Sequence, residues 1–424
     1  MSTSSARVYV IGVATTPFSR HPDQTHKQLA DQAVRGALAD VGDDAVAQGI
    51  GATFFGSCTL HAWGQPNVGG NVILGPLVDA GVLPSWAPIH NVEGGCATGA
   101  MAVHNARNAI LAGDVDVALA IGVDKTFMPH DLAQMKALFE GALDQLDPHG
   151  WREDLTAAAA EHGLHYKPHP ARITLLDACS LNAQWHAKTH GTTAAQVAAS
   201  AAKNHDHGAL NENAQYRKPM TVDAVLADKP IVAELTRAMC APISDGAAAA
   251  VLCSAATLQT LPPAVRARAI ALDASVVAAG RRRKIDEEPV TAIAAKRAYE
   301  AAGLGPDAID IAEVHDATSF AELAASEALG FCEPGQGGAY IASGAANRDG
   351  KRPTNLSGGL VSKGHPLAAT GIAMLHELVT QLRGEAGERQ AADVSVGLLH
   401  NAGGLVAFDE ASCAVQILRA PATT

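Results

Sequence analysis

Apolar positions along the chain keep two rhythms. In "RVYVIGVATTPF" (7–18) small and β-branched residues run on without a polar break, which reads as a buried strand stopped by Thr-Thr-Pro. In 26–41, "HKQLADQAVRGALADV", Leu29, Ala33, Val34, Ala37 and Val41 return at helical spacing and mark one apolar face. "IGATFFGSC" (50–58) reads as a second strand and 85–91 as a short third one. "NARNAILAGDVDVALAIGVD" (105–124) closes a helix and opens a strand at Val115. The opening 125 residues thus alternate β-α-β-α-β-α-β, and the expected class is α/β with layered helices and sheets.

The rhythm changes from about 126 to 221. This stretch holds Pro168, Pro170, Pro219, Trp151, Trp185 and many histidines, and reads as an excursion of loops and helices over the core. "CAPISDGAAAAVLCS" (240–254) returns to strand character, and "LPPAVRA" (261–267) reads as a linker. The opening order then repeats: strand "RAIALDASVV", helix 288–303, strand "DIAEVH", helix 319–329, a Gly-rich stretch, helix 370–383, and strands 393–399 and 403–418. A duplicated α/β unit follows. The division expected is 1–125 plus 222–256 for the first half, 126–221 for an inserted loop domain, and 257–424 for the second half.

Composition narrows the partners. Of the 424 residues, 48% are hydrophobic and 17% charged, so a large core is expected and disorder is not. Aromatics are only 4%, which leaves close packing to Ala and Gly. The formal net charge of −12 argues against nucleic acid as a partner. No apolar run reaches the roughly 20 residues of a membrane span. The seven cysteines (58, 96, 179, 240, 253, 332, 413) show no CxxC spacing. Together with an N-terminus unlike a signal peptide, that points to a reducing, cytoplasmic setting.

Four short stretches carry candidate chemistry. Cys96 in "NVEGGCATGAMAV" stands where a strand ends and a helix begins, and the positive end of a helix favours a thiolate. It is either a nucleophile or a small apolar filler. His365 in "NLSGGLVSKGHPLAATG" (355–371) is held between Gly364 and Pro366 and is either a thiol's base or an ordinary loop residue. His315 in "EVHDATSFAEL" (313–323) could donate to an oxyanion, or could pack while Asp316 caps the helix. "LLHNAGGLVAF" (398–408) offers His400, Asn401 and the Gly403-Gly404 amides, as an oxyanion hole or a plain tight turn.

These stretches, with "SDGAAAAVL" (244–252), occur in the order of the thiolase superfamily. The chain resembles the sterol-carrier-protein type of thiolase and its bacterial acyltransferase relatives, from about Val8 to Leu418. The resemblance implies a five-layer α-β-α-β-α fold of two copies with an inserted loop domain. It implies Cys96 as the acyl-accepting nucleophile, His365 as its activator, and His315 near the thioester oxygen of the second substrate. It further implies that the Gly403 N–H joins that of Cys96 on the acyl-enzyme oxygen.

One departure concerns the second cysteine that moves a proton at the substrate's α-carbon. Its two usual places hold Asn401, beside His400, and Ala317. Another base is then needed, and His400 or His315 are available. A smaller departure is Ala368 in place of a glycine after Gly-His-Pro, expected to narrow the pocket.

The expected activity is acyl transfer from acyl-CoA through an acyl-enzyme on Cys96. Coenzyme A thioesters serve as substrate, no cofactor is tightly bound and no metal is held. A homodimer is expected. Two alternatives stand beside it. One is carbon-acyl transfer or retro-aldol cleavage of a β-hydroxyacyl-CoA together with a small OB-fold protein; the other is a non-catalytic thiolase-like subunit. "GRRRKIDEE" (280–288) could meet coenzyme A phosphates, but reads more simply as a solvated loop. Metal spacing can be imagined for the histidines of "EHGLHYKPHP" (161–170) and "HDH" (205–207), but prolines break i, i+4 geometry in the first and the second lacks a companion cluster, so no metal is expected; no G-x-G-x-x-G follows a strand.

Overall fold

The computed structural model describes residues 7–169 and 172–421; Pro170 lies outside the described residues. Five strands build the first half: β1 (Val8–Thr15), β2 (Ala52–Gly56), β3 (Ile89–Val92), β4 (Val117–Lys125) and β5 (Asp245–Ser254). Helices α1 (His26–Val41), α2 (Gly69–Asp79) and α3 (Thr98–Ala112) connect the first four. Thr25 caps α1 with a full capping box to Gln28, and Gly42 ends it in the left-handed region, at φ 74°.

The excursion before β5 carries four longer helices: α4 (Leu132–Glu140), α5 (Gly150–Glu161), α6 (Thr174–His190) and α7 (Ala194–Ala209). Val197, Ala198 and Ala201 of α7 share a core with Val225, Leu235, Met239 and Cys240. Residues 225–240, assigned from sequence to the first half, therefore pack on the excursion.

The second half repeats the plan: β6 (Ile270–Ala278), α8 (Val290–Ala302), β7 (Ile311–Val314), α9 (Ser319–Ala328), α10 (Gly359–Lys363), α11 (Leu367–Leu382), β8 (Val396–Gly403) and β9 (Ser412–Arg419). The strand order across both halves is β3-β2-β4-β5-β1-β6-β9-β8-β7. β2 runs parallel to β4, and β4 is antiparallel to β5, as is β5 to β1. β7 likewise runs parallel to β8, β8 antiparallel to β9, and β9 antiparallel to β6. The β2-β4-β5-β1 ladder recurs as β7-β8-β9-β6, with β3 added at the first half's edge, and among the described residues the two pair at Tyr9–Ala271 and Val10–Ile270.

Strand alternation sorts the side chains into layers. Val117, Leu119, Ile121 and Val123 of β4 face α1 and α2, whereas Ala118 and Ala120 face the centre. The centre is filled by α3 and α11, whose Val103, Ala106, Ile372 and Leu375 lie between the two halves. On the far side, Ala294 and Ala298 of α8 pack on Val415 and Ile417 of β9. The result is the α-β-α-β-α stack expected.

The scarcity of aromatics has its reason in the central layer. A Cβ on Gly99 of α3 would stand 2.4 Å from the Ala368 carbonyl oxygen, and one on Gly371 of α11 2.4 Å from the Ala100 amide. Only glycines let the two helices approach so closely.

Three expectations change in detail. The linker 261–267 contains a short helix, Pro263–Arg268, with Pro at its start, where the missing N–H costs nothing. The last two strands are shifted: β8 runs on through Gly403, and β9 begins only at Ser412. The third strand starts at Ile89 and the fourth at Val117, each a little later than the pattern suggests.

Candidate active site

Cys96 sits in a single 3-10 turn, Gly95–Ala97, that feeds directly into α3. Thr98 holds this turn, accepting from Gly94 N at 2.9 Å and donating to Gly95 O at 2.6 Å. The end of β8 closes against it. A Cβ on Gly403 would lie 2.4 Å from the amides of Cys96 and Ala97, and one on Gly95 (φ +58°) 2.8 Å from Gly404 N. Glycine on both sides thus brings the second half's strand onto the nucleophile turn. The N–H groups that reach the Cys96 sulfur are its own and that of Gly404. Gly403, the donor that the resemblance implies, continues β8 in register with Ser412 and lies against the amides of Cys96 and Ala97.

Cys96 is 8% exposed and opens on a cavity of about 490 Å³, whose walls include Cys58, Gln65, Phe139, Leu175 and Leu367. Burial, helped by the charge of Asp124, pushes its thiol up to about 12. The thiolate suggested by the helix end is therefore not the resting form, because desolvation outweighs the N–H groups around the sulfur. Cys96 needs a base.

His365 meets that need. Its loop is pinned by Ser244, whose Oγ accepts from His365 N at 3.1 Å. The ring Nδ1 lies 2.7 Å from Thr370 Oγ1, and Thr370 gives its own proton to Pro366 O at 2.9 Å. Nδ1 must then be the protonated nitrogen. Nε2 is left with its lone pair, buried and without a hydrogen-bond partner. Burial and Lys363 hold this imidazole down to about 3, so it rests neutral with the Nε2 lone pair free.

His315 is set the other way. Asn401 Nδ2 donates to its Nδ1 at 3.1 Å, which leaves the proton on Nε2. Its ring stands edge-on to that of His365, with centroids 5.1 Å apart. Burial and the two neighbouring imidazoles hold it far below the ordinary histidine range. One donor atom from each of Cys96, His315 and His365 falls within 4.8 Å of the other two. The sequence candidates from three separate stretches thus meet at one point.

His400 does not join them. Along β8, Leu398 and Ala402 face the outer layer and Leu399 the central one, so His400 points outward and Asn401 inward. His400 Nε2 pairs with Thr291 Oγ1 at 3.0 Å, and its Nδ1 accepts from His315 N at 3.4 Å. It supports the backbone of His315 and does not face Cys96, which corrects its candidacy as a base. Ala368 is also corrected: it is fully buried and absent from the cavity wall, and its Cβ would meet one on Gly56 at 3.7 Å.

Sequence reasoning missed Asp124. Fully buried at the end of β4, it accepts from Ser57 Oγ (2.6 Å), Cys58 N (3.0 Å), Thr59 N (3.1 Å), Thr59 Oγ1 (2.8 Å) and Ala368 N (2.7 Å). One carboxylate so ties the cavity loop of the first half to the start of α11, next to His365. Nothing in the local pattern separates it from a strand-end carboxylate. The basic run is spent on structure: Arg282 donates to Phe408 O at 3.0 Å, and Lys284 pairs with Glu161 at 2.7 Å.

A duplicated five-layer fold that joins a cysteine to two neutral imidazoles defines a class, the thiolase-fold acyltransferases. Residues 8–256 match the thiolase N-terminal domain and 277–416 the thiolase C-terminal domain-like pattern. The chain belongs to the thiolase family, and it is an enzyme of the acyltransferase kind.

It is 34% identical to acetyl-CoA acetyltransferase of Methanothermobacter thermautotrophicus, over 94% of this chain and 96% of that one. It is 33% identical to sterol carrier protein 2 of Oryctolagus cuniculus, over 94% of this chain and 70% of the relative. Identity with the benzoylsuccinyl-CoA thiolase subunit BbsB of Thauera aromatica is 29%, over 94% and 95%. Among solved structures, an Ltp2-ChsH2(DUF35) aldolase superposes with a TM-score of 0.75 at 22% identity, over 99% of both chains, a likeness of fold. No helix among the described residues is long and apolar enough to cross a membrane.

Proposed function

We propose that this enzyme moves an acyl group from a coenzyme A thioester, or the acyl part of a 3-ketoacyl-CoA, through a thioester on Cys96. The observation that carries the reading is the unpartnered Nε2 of His365, on a ring with one nitrogen within 4.8 Å of the Cys96 sulfur. As sulfur attacks the carbonyl, the thiol proton passes to His365 Nε2. His315 Nε2–H and the amides of Cys96 and Gly404 are the donors for the oxyanion, each such donor commonly worth about 3–4 kcal/mol.

A single proton carrier balances both steps. In cleavage, the proton that left Cys96 goes from His365 to the departing α-carbon, and acetyl-CoA leaves. In the second step His365 takes the thiol proton of incoming coenzyme A and returns it to the Cys96 sulfur. No second thiol is required, in keeping with Asn401 and Ala317 at the two places where the family carries one. The reading includes a homodimer and no tightly bound cofactor.

A second reading shares the site. The missing thiol, and the relative named as a thiolase subunit, favour carbon–carbon chemistry performed together with a small OB-fold partner. One experiment separates the two. The purified chain is incubated with acetyl-CoA, digested and analysed by mass spectrometry. An acetyl group on the Cys96 peptide, absent in Cys96→Ala, is the expected result. A chain that cleaves a β-hydroxyacyl-CoA when an OB-fold protein is added, with Cys96 never acylated, would replace it with the second reading.

A further inference from the structure

Two buried polar atoms at the site have no partner: Nε2 of His365 and Oδ1 of Asn401. Buried acceptors left bare are uncommon and ask for an explanation. Around them stand a sulfur and two imidazole nitrogens within 4.8 Å of one another. A thiolate with two imidazoles is the donor set of zinc, and three protein ligands with a fourth position left open is its usual arrangement at reactive sites.

The surrounding groups suit this role. His365 is already in the ligating tautomer, because Thr370 Oγ1 takes up Nδ1–H. A neutral ring braced at its second nitrogen is what a zinc-bound histidine requires. His315 needs its proton moved to Nδ1. A half-turn of the Asn401 amide supplies the acceptor, since Oδ1, now bare, would then face Nδ1–H in place of Nδ2. The buried carboxylate of Asp124, which opposes negative charge on the Cys96 sulfur, equally favours a cation there.

We propose that Cys96 Sγ, His315 Nε2 and His365 Nε2 form a three-ligand site for a zinc-class divalent cation, with the fourth position toward the cavity. Binding releases the Cys96 proton and occupies the sulfur lone pair together with that of His365. Cys96 can then neither attack a thioester nor pass on a proton, so the metal-bound enzyme is switched off and a chelator restores it. The binding half stands without the acyl-transfer reading; the inhibition half rests on it.

The test is calorimetric titration of zinc chloride into the full chain after treatment with EDTA. One ion per chain is expected. It is lost in Cys96→Ala and after alkylation of the wild type with iodoacetamide, and Thr370→Val weakens it about 10–100-fold. Alkylation keeps the test valid if the alanine variant fails to fold. No saturable binding, or one ion that survives alkylation, overturns the proposal. Zinc bound at Cys96 in a chain that never forms an acyl-enzyme would sink the acyl-transfer reading and leave the site standing.

Discussion

At the scale of single residues, the site works because two imidazoles a ring's width apart carry their protons on opposite nitrogens. Thr370 fixes one and Asn401 the other. Thr370→Val removes the acceptor for Nδ1–H and frees the ring to turn its proton toward Cys96. The acylation rate is then expected to fall by about 10²-fold or more with substrate KM nearly unchanged, since Thr370 touches no substrate. Thr370→Ser, which keeps the hydroxyl, should recover most of it; equal losses in both variants would make Thr370 a mere packing residue.

The protonated state of Cys96 is also measurable. With the thiol held up to about 12 and His365 down to about 3, sulfur and imidazole rest as a neutral pair. Iodoacetamide alkylation of Cys96 should therefore speed up about tenfold per pH unit from pH 7 to 10. A plateau near neutral pH would reveal a thiolate–imidazolium pair and contradict this account.

At the scale of elements, the close approach of α11 to its neighbours positions the site. Ala368 starts the helix under His365, and its carbonyl oxygen would stand 2.0 Å from a Cβ on Gly122 of β4. That contact is backbone and cannot yield easily. Gly122→Ala is expected to cost about 1–3 kcal/mol or more in chemical denaturation and to lower acylation with it. Gly305→Ala, where nothing lies within 4 Å, is the control and should leave both unchanged.

Element patterns also show what was readable beforehand. The strands and helices of both halves are legible because buried strands show as short unbroken apolar runs and helices as an apolar face at a period of 3.6. His400 reads as a free candidate base because the sequence pattern places the last strands at 393–399 and 403–418 and leaves 400–402 in a turn. Once β8 continues to Gly403, alternation sends His400 outward and Asn401 inward. Asp124 and Ser244 could not be found from sequence, because their partners lie 244 and 121 residues away.

At the scale of the whole molecule, burial governs the histidines. His26 and His400 are held down to about 4, and His207 and His365 to about 3, each chiefly by desolvation. The unfolded chain binds protons on them below about pH 6.5, whereas the folded chain does not until these lower values. Each therefore contributes stability above pH 6.5 that is lost as pH falls toward the folded value, at about 1.4 kcal/mol per pH unit. Buried carboxyls with raised values, such as Asp316 and Glu313, act in the opposite sense, so a difference isolates the effect. His207→Asn should lose less stability than the wild type between pH 6.5 and 4, by about 1.4 kcal/mol per unit. Parallel pH curves would show that His207 is charged in the folded chain.

The most direct measurement is the single-turnover rate of Cys96 acylation by acetyl-CoA, followed by quenched mass spectrometry in wild type and His365→Asn. The rate is expected to fall about 10²–10⁴-fold in His365→Asn with the Cys96 peptide still open to alkylation. Acylation at the wild-type rate in His365→Asn would show that another group takes the thiol proton.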